Sequence, residues 1–295
     1  MKKLQGRHIR SVGTARNYES RLKQITVYLQ EHRLGSLRDM TPGSALEYLR
    51  QRAATVGQKT LDMERQALQS MMQHVTQQLA PGQRLEVIKS TALPRTRGQA
   101  GQPTLGRRLS EESRLYTREQ LSLITARQSP HNALATEIAH AAGLRAHELL
   151  TLRRLHHQTP DVRPAHDLKF FGIRDESIAY SVHGKGGLTR EVRVPLSLAR
   201  RLEATRLAEP RNVTDRGVHY KQSYELGGGQ PWSKSFGAAS KAALGWSKGA
   251  HALRHCYAQS RLARLQRELP LNEAKRVVSQ ELGHFRPEIT EVYLR

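Results

Sequence analysis

Between Leu93 and Ser113 the apolar periodicity of the flanking regions stops, and the chain reads PRTRGQAGQPTLGRRLSEES. Proline, glycine and arginine in that density bury too little apolar surface to join a core. The 295 residues therefore divide into a helical domain over 1–93, a basic linker over 94–113 and a second domain over 114–295.

Within the first domain, Tyr18, Leu22, Ile25 and Leu29 recur at steps of three and four, which predicts an amphipathic helix over 14–30. Thr41-Pro42 is a helix start ahead of Leu46 and Leu49, and a third helix runs from about Lys59 through Leu61, Leu68, Met71, Met72 and Val75. These segments make a small helical bundle. The second domain opens with a capping box, Thr117 and Gln120. A helix through Ile138 and Ala142 follows, then a helix after Arg145. Short β-like runs come next at 170–173 (FFGI), 177–183 (SIAYSVH) and 191–194 (EVRV), the last two joined through GKGG. Helices resume to the carboxyl end, while 205–231, rich in glycine, proline and charge, takes no assignment. The expected fold class is mainly α with a small β-sheet or hairpin: a helical N-terminal domain and an α-rich mixed α+β domain.

Lysine and arginine outnumber aspartate and glutamate 48 to 26, a net charge of +22 spread over both domains. Such a balance predicts a polyanionic partner. The one cysteine, Cys256, has no intramolecular partner and lies in an apolar helical pattern, as a reduced, buried thiol of a cytoplasmic protein does. The start MKKLQGRHIR has no apolar signal region, and nowhere do about 18 apolar residues run together. Neither secretion nor membrane insertion is expected. GxxxxGK[ST] and HExxH are both missing from the sequence, so no nucleotide cofactor and no metal are expected.

Four segments carry chemistry: AGLRAHELL with Arg145 and Glu148, VHGKGGLTREVRVP with Lys185, HALRH with His251, Arg254 and His255, and LGHFRPEITEVYL with His284 and Tyr293. A phosphodiester under attack builds negative charge on its nonbridging oxygens, and fixed guanidiniums match that charge bidentately, a role that suits Arg145 and Arg254. Tyr293 offers a phenol nucleophile that needs neighbouring cations or a base. His251 and His284 can move protons near neutral pH, and Lys185 on a glycine-flanked hairpin can protonate a departing oxygen. Glu148, one turn after Arg145, can orient that guanidinium. Taken singly, each signal has a plainer reading. HALRH can be a solvated helix face or a histidine pair at i and i+4, Tyr293 can be packing, and GKGG can be an ordinary hairpin tip.

Together and in this order, the four segments resemble the catalytic boxes of the tyrosine recombinases, the phage-integrase family, over residues 114–293. The region 14–90 is similar to that family's core-binding (SAM-like) domain through its patterning and the QKT helix start at 58–60. The resemblance implies a site-specific DNA recombinase or integrase that cuts and rejoins strands through a 3′-phosphotyrosyl bond at Tyr293 and a Holliday junction, without metal or cofactor. It implies Arg145, Lys185, His251, Arg254, His284 and Tyr293 as catalytic residues, with Glu148 and His255 supporting them. It also implies a clamp around double-stranded recombination sites, a homotetramer on DNA formed from a monomer, and a place on the nucleoid. Arg10, Arg16, Arg21, Arg95, Arg97, Arg107 and Arg108 are phosphate-contact candidates by charge. The segment 153–169 is longer and more basic than the family's usual turn after the first arginine box. A type IB topoisomerase-like enzyme, a telomere-resolving enzyme and a catalytically silent DNA-binding accessory protein remain open alternatives.

Binding to duplex DNA is expected to weaken by about 10³–10⁵ between roughly 50 and 200 mM salt, the cost of releasing counterions from about 6–10 phosphates. Anisotropy titrations across that range check it; a flat profile removes DNA as the partner.

Overall fold

The computed structural model describes residues 6, 8–9, 11–92, 115–184, 186–284 and 291–293. The chain divides into two compact units, Met1–Leu109 and Ser110–Arg295.

In the first unit α1 (Val12–Glu31) starts at Ser11, whose hydroxyl accepts from the Thr14 amide. The Thr41–Ser44 capping box and Pro42 in the first turn set the start of α2 (Pro42–Ala53). Helix α3 (Gln58–Met71) ends in a π-helical turn over Met72–Thr76, and Gln77 leaves in the left-handed region. Leu22, Ile25, Leu29, Tyr48, Leu49, Leu61, Leu68 and Met72 form the core. Inside it lies Glu64, wholly buried, accepting from the Tyr48 hydroxyl at 2.9 Å and from Arg52 at 3.0 and 3.1 Å. The chain then returns to the end of α2, where the Thr91 and Ala92 amides both donate to the Ala53 carbonyl. That contact satisfies a carbonyl that the helix itself leaves open.

In the second unit α4 (Arg118–Thr125) begins with the Thr117–Gln120 capping box read from the sequence. Helix α5 (Pro130–Ala142) stops at Gly143, left-handed at φ 62°. A Cβ at Gly143 would lie 2.7 Å from the Tyr257 ring, so the stop and the packing both require glycine. Strands β1 (Arg153–Arg154), β2 (Ser177–His183) and β3 (Thr189–Pro195) form an antiparallel sheet in that order. Its core face is carried by Tyr180, Val182, Val192 and Val194. Helix α6 (Leu196–Glu203) leads into a second hairpin, β4 (Arg206–Asp215) and β5 (Val218–Tyr224). Helices α7 (Gly229–Leu244), α8 (Ala252–Leu265) and α9 (Leu271–Glu281) follow. No described helix is long and apolar enough to cross a membrane.

Two sequence expectations change. Residues 170–173 are turns, not strand: Phe170 and Gly172 both have positive φ, which breaks the pleat, and only Phe170 of the apolar run is buried. The helix after Arg145 is a single 3₁₀ turn, Glu148–Thr151. The unassigned 205–231 holds the β4–β5 hairpin and the start of α7. Segment 153–169 is docked on the second unit, with Asp161 paired to Thr189 and His166 bonded to Gln280 and Glu273 on α9.

Glu64→Ala is expected to leave Arg52 and Tyr48 without their acceptor and to destabilise the first unit by ~3 kcal/mol, the low end for a broken buried pair because Arg52 reaches water. Urea unfolding followed by far-UV circular dichroism measures this.

Candidate active site

The AGLRAHELL segment wraps one carboxylate. Gly143 ends α5 and the chain turns sharply, so the Arg145 amide donates to Glu148 Oε2 at 2.8 Å and the Arg145 Nη1 donates to Oε1 at 2.7 Å. Glu148 is fully buried. Arg190 of β3 donates to its Oε2 at 2.8 Å, and Arg254 of α8 lies 3.9 Å away. Burial alone pushes the carboxyl up, but Arg190, Arg254, Arg145 and the backbone amide together hold it far below the ordinary carboxylate range. Three guanidiniums thus share one negative charge, which leaves a positive surplus in a site of low dielectric.

Arg254 is wholly buried. It donates to the carbonyls of Gly143 and Leu282, and through Nη2 it reaches His284 Nε2 at 3.1 Å. Burial lowers its pKa to about 10, Glu148 opposes that shift, and the neighbouring Arg190 and Arg145 add to it. Arg145 Nη2 reaches the same His284 Nε2 at 2.8 Å. Guanidiniums only donate, so Nε2 accepts from both and the imidazole proton sits on Nδ1. Burial first, then the three arginines, depress the His284 pKa to about 3 and keep the ring neutral.

Tyr293 lies in a 3₁₀ turn, Glu291–Tyr293, with its carbonyl accepting from Gln259 of α8. Its ring is buried against α8 and α9. The ring centroids of His255, His284 and His251 stand 4.8, 5.3 and 5.7 Å from it, and the Arg254 guanidinium carbon is 5.6 Å from its centre. His251 is exposed at the start of α8, and His255, one turn on, is buried.

The structure therefore gathers Arg145, Glu148, His251, Arg254, His255, His284 and Tyr293. Lys185 lies outside the described residues, but its hairpin is rooted beside the cluster. A Cβ on Gly184 would stand 3.4 Å from Glu148 Oε1, and the His183 amide donates to Thr151. Arg16 and Arg21 are on α1 in the first unit, Arg16 exposed and Arg21 bonded to Gln24. Arg10, Arg95, Arg97, Arg107 and Arg108 lie outside the described residues. Among the described residues no group of three or more His, Cys, Asp or Glu side chains is placed to hold a metal ion.

Arg190 lies in the VHGKGGLTREVRVP motif, and its part in the site is what the motif did not reveal. It is buried, spans Glu148 and the Glu281 carbonyl, and a Cβ on Gly283 would strike its Cδ. Strand alternation held the clue: Arg190 shares a face with Val192 and Val194, the core face of β3, and a charge there requires a buried partner.

A neutral folded-state His284 has a defined signature. Its folded pKa lies below the unfolded value of about 6.5, so the unfolded chain binds a proton that the folded chain refuses. The folded state is therefore expected to lose stability as pH falls from about 6.5 toward 3, and His284→Asn to flatten that slope. Urea titrations over this range test it; a histidine variant with the parent slope refutes it.

No protein-family model matches the sequence, and a search of curated proteins finds no match. Solved structures do match in fold. XerH site-specific recombinase, in a post-cleavage complex with palindromic difH substrate, aligns over 94% of this chain and 75% of its own at 17% identity and a TM-score of 0.54. A lambda integrase dimer bound to a COC′ core site covers 100% and 92% at 18% identity and 0.54. The lambda integrase tetramer bound to a Holliday junction covers 99% and 74% at 16% identity and 0.55. The chain has the fold of these recombinase and integrase structures, its second unit α-rich with small antiparallel sheets.

Proposed function

We propose that this protein is a site-specific DNA recombinase that breaks and rejoins strands through a phosphotyrosyl bond at Tyr293. The observation that carries the reading is the convergence of two guanidiniums, Arg145 and Arg254, with His284 and the Tyr293 ring of the same chain. The fold it shares with recombinase and integrase complexes supports the same reading.

In the proposed reaction a backbone phosphate enters the positive site and its nonbridging oxygens compete for the Nη donors that His284 now accepts from. Those donors are held by Glu148 and by main-chain carbonyls, so they need little reorganisation as charge develops. The Tyr293 oxygen attacks phosphorus in line, and its proton leaves to a neighbouring imidazole, His251 being the exposed one. The P–O5′ bond breaks, and Lys185 protonates the leaving 5′ oxygen. The phosphotyrosyl ester conserves the phosphodiester until a second 5′ hydroxyl attacks and releases the phenol. Neither metal nor nucleotide takes part in this scheme.

The assembly that suits strand exchange is a tetramer on two duplexes, passing through a Holliday junction. The first unit serves as the core-binding domain, and the 94–113 segment links it to the catalytic domain. The place of action is the nucleoid of the cytoplasm. Arg10, Arg16, Arg21 and the arginines of the linker contribute phosphate contacts.

A duplex selected by the protein from a random-sequence pool, then nicked beside the cleavage point, provides the test. The parent is expected to form an SDS-resistant adduct, Tyr293→Phe to bind without forming one, and Arg145→Ala to slow cleavage by about 10²–10³. An undiminished adduct in Tyr293→Phe overturns the assignment.

A further inference from the structure

The β4–β5 hairpin has no part in the scheme above, yet its build points to one. It is a two-stranded sheet, and among the described residues the far edge of β4 pairs with nothing. Nearly all of β4 is exposed. An isolated hairpin of this kind is marginal in water, and an open edge is a liability unless something covers it.

Its two faces differ sharply. Register pairs Arg211 with Gln222, Val213 with Tyr220, Asn212 with Lys221, and Thr214 with His219. On the inner face Gln222 is buried and donates to the Leu226 carbonyl at 2.6 Å, the Tyr220 ring lies 6.4 Å from that of His147, and Arg211 bonds to Gln222 from the exposed margin. The other two pairs, Asn212, Thr214, His219 and Lys221, are all exposed and form the outer face. Those four positions offer hydrogen-bonding groups and the Lys221 cation with no carboxylate among them, while Glu209 is exposed further along β4. At the tip, Arg216 and Gly217 both have positive φ in a two-residue turn, which places a cation where asparagine or glycine is the easy choice; its Nε donates to Asp215 at 3.1 Å while the side chain stays largely exposed.

The tip is also fixed in place. Asp215 is buried and accepts from the Gln230 amide at 2.8 Å, and the next amide back, Gly229, donates to the Ala146 carbonyl at 2.7 Å. The hairpin end is thereby tied to the loop that carries Arg145. Arg153 secures β5 further along, donating to Ser223 and to the Lys221 carbonyl.

We propose that the outer face of the β4–β5 hairpin, with Lys221 and His219 on the ribbon and Arg216 at its tip, grips the sugar–phosphate backbone of duplex DNA beside the cleavage site. The inference rests on the strand-exchange reading of the Arg145 cluster. It adds to that reading a second phosphate-binding element, pinned to the same loop and carrying no reacting group.

The test uses the full chain and a mixed-sequence duplex, with binding measured over a range of salt. Arg216→Asn combined with Lys221→Gln removes two cations while suiting the turn. Each lost phosphate contact flattens the plot of log K against log salt by about 0.9, so the double variant is expected to give a slope shallower by about 2. Thr214→Glu, which sets a negative charge on the same face, is expected to weaken binding at low salt. Parent-like slope and affinity in both variants overturn the hairpin's role and leave the recombinase reading intact. A parent that does not bind duplex DNA overturns both.

Discussion

One buried carboxylate organises the second unit. Glu148 receives Arg145 from the loop after α5, Arg190 from β3 and, at longer range, Arg254 from α8. Three elements far apart in sequence are thereby held at a common point. Without Glu148 three guanidiniums would face one another in a buried space, and the mutual repulsion would drive the loop, the strand and the helix apart. The carboxylate is itself stable there only because those cations are present. Formation of the site and closure of the fold around it are one event.

The same arrangement explains the state of His284. It follows Gly283, a left-handed residue just past α9, and the turn delivers its ring between Arg145 and Arg254. A neutral imidazole is the one histidine form that two inward-pointing guanidiniums tolerate. The ring fills the position where donors from both arginines meet, so the cluster remains hydrogen-bonded in the free protein. Tyr293 packs over the same group from its own 3₁₀ turn, so one chain assembles all of these groups without a neighbour's help.

Much of this was legible in the residues. Apolar spacing and caps located α1, α2, α3 and α4, and β2 follows the SIAYSVH run because Ile178, Tyr180 and Val182 recur at every second position. Three of the four motifs named side chains that meet around Arg254, and Lys185 of the other lies outside the described residues. The β4–β5 hairpin was hidden because its outer strand faces water and carries proline and charge in place of apolar alternation. The FFGI run misled for the opposite reason, an apolar string whose backbone turns at Phe170 and Gly172. Arg190 received no role because its partners, Glu148 and the Glu281 carbonyl, are distant in sequence and only the folded chain brings them together.

Gly143 joins two tasks: it terminates α5, and its carbonyl accepts from Arg254. The rotational phase of α5 is therefore locked to the position of a guanidinium on another helix. A single-residue insertion or deletion anywhere in α5 turns everything beyond it by about 100°, swinging that carbonyl away from its donor. Loops on this scaffold can lengthen over evolutionary time, but the thirteen residues of α5 form a ruler whose length cannot drift by one.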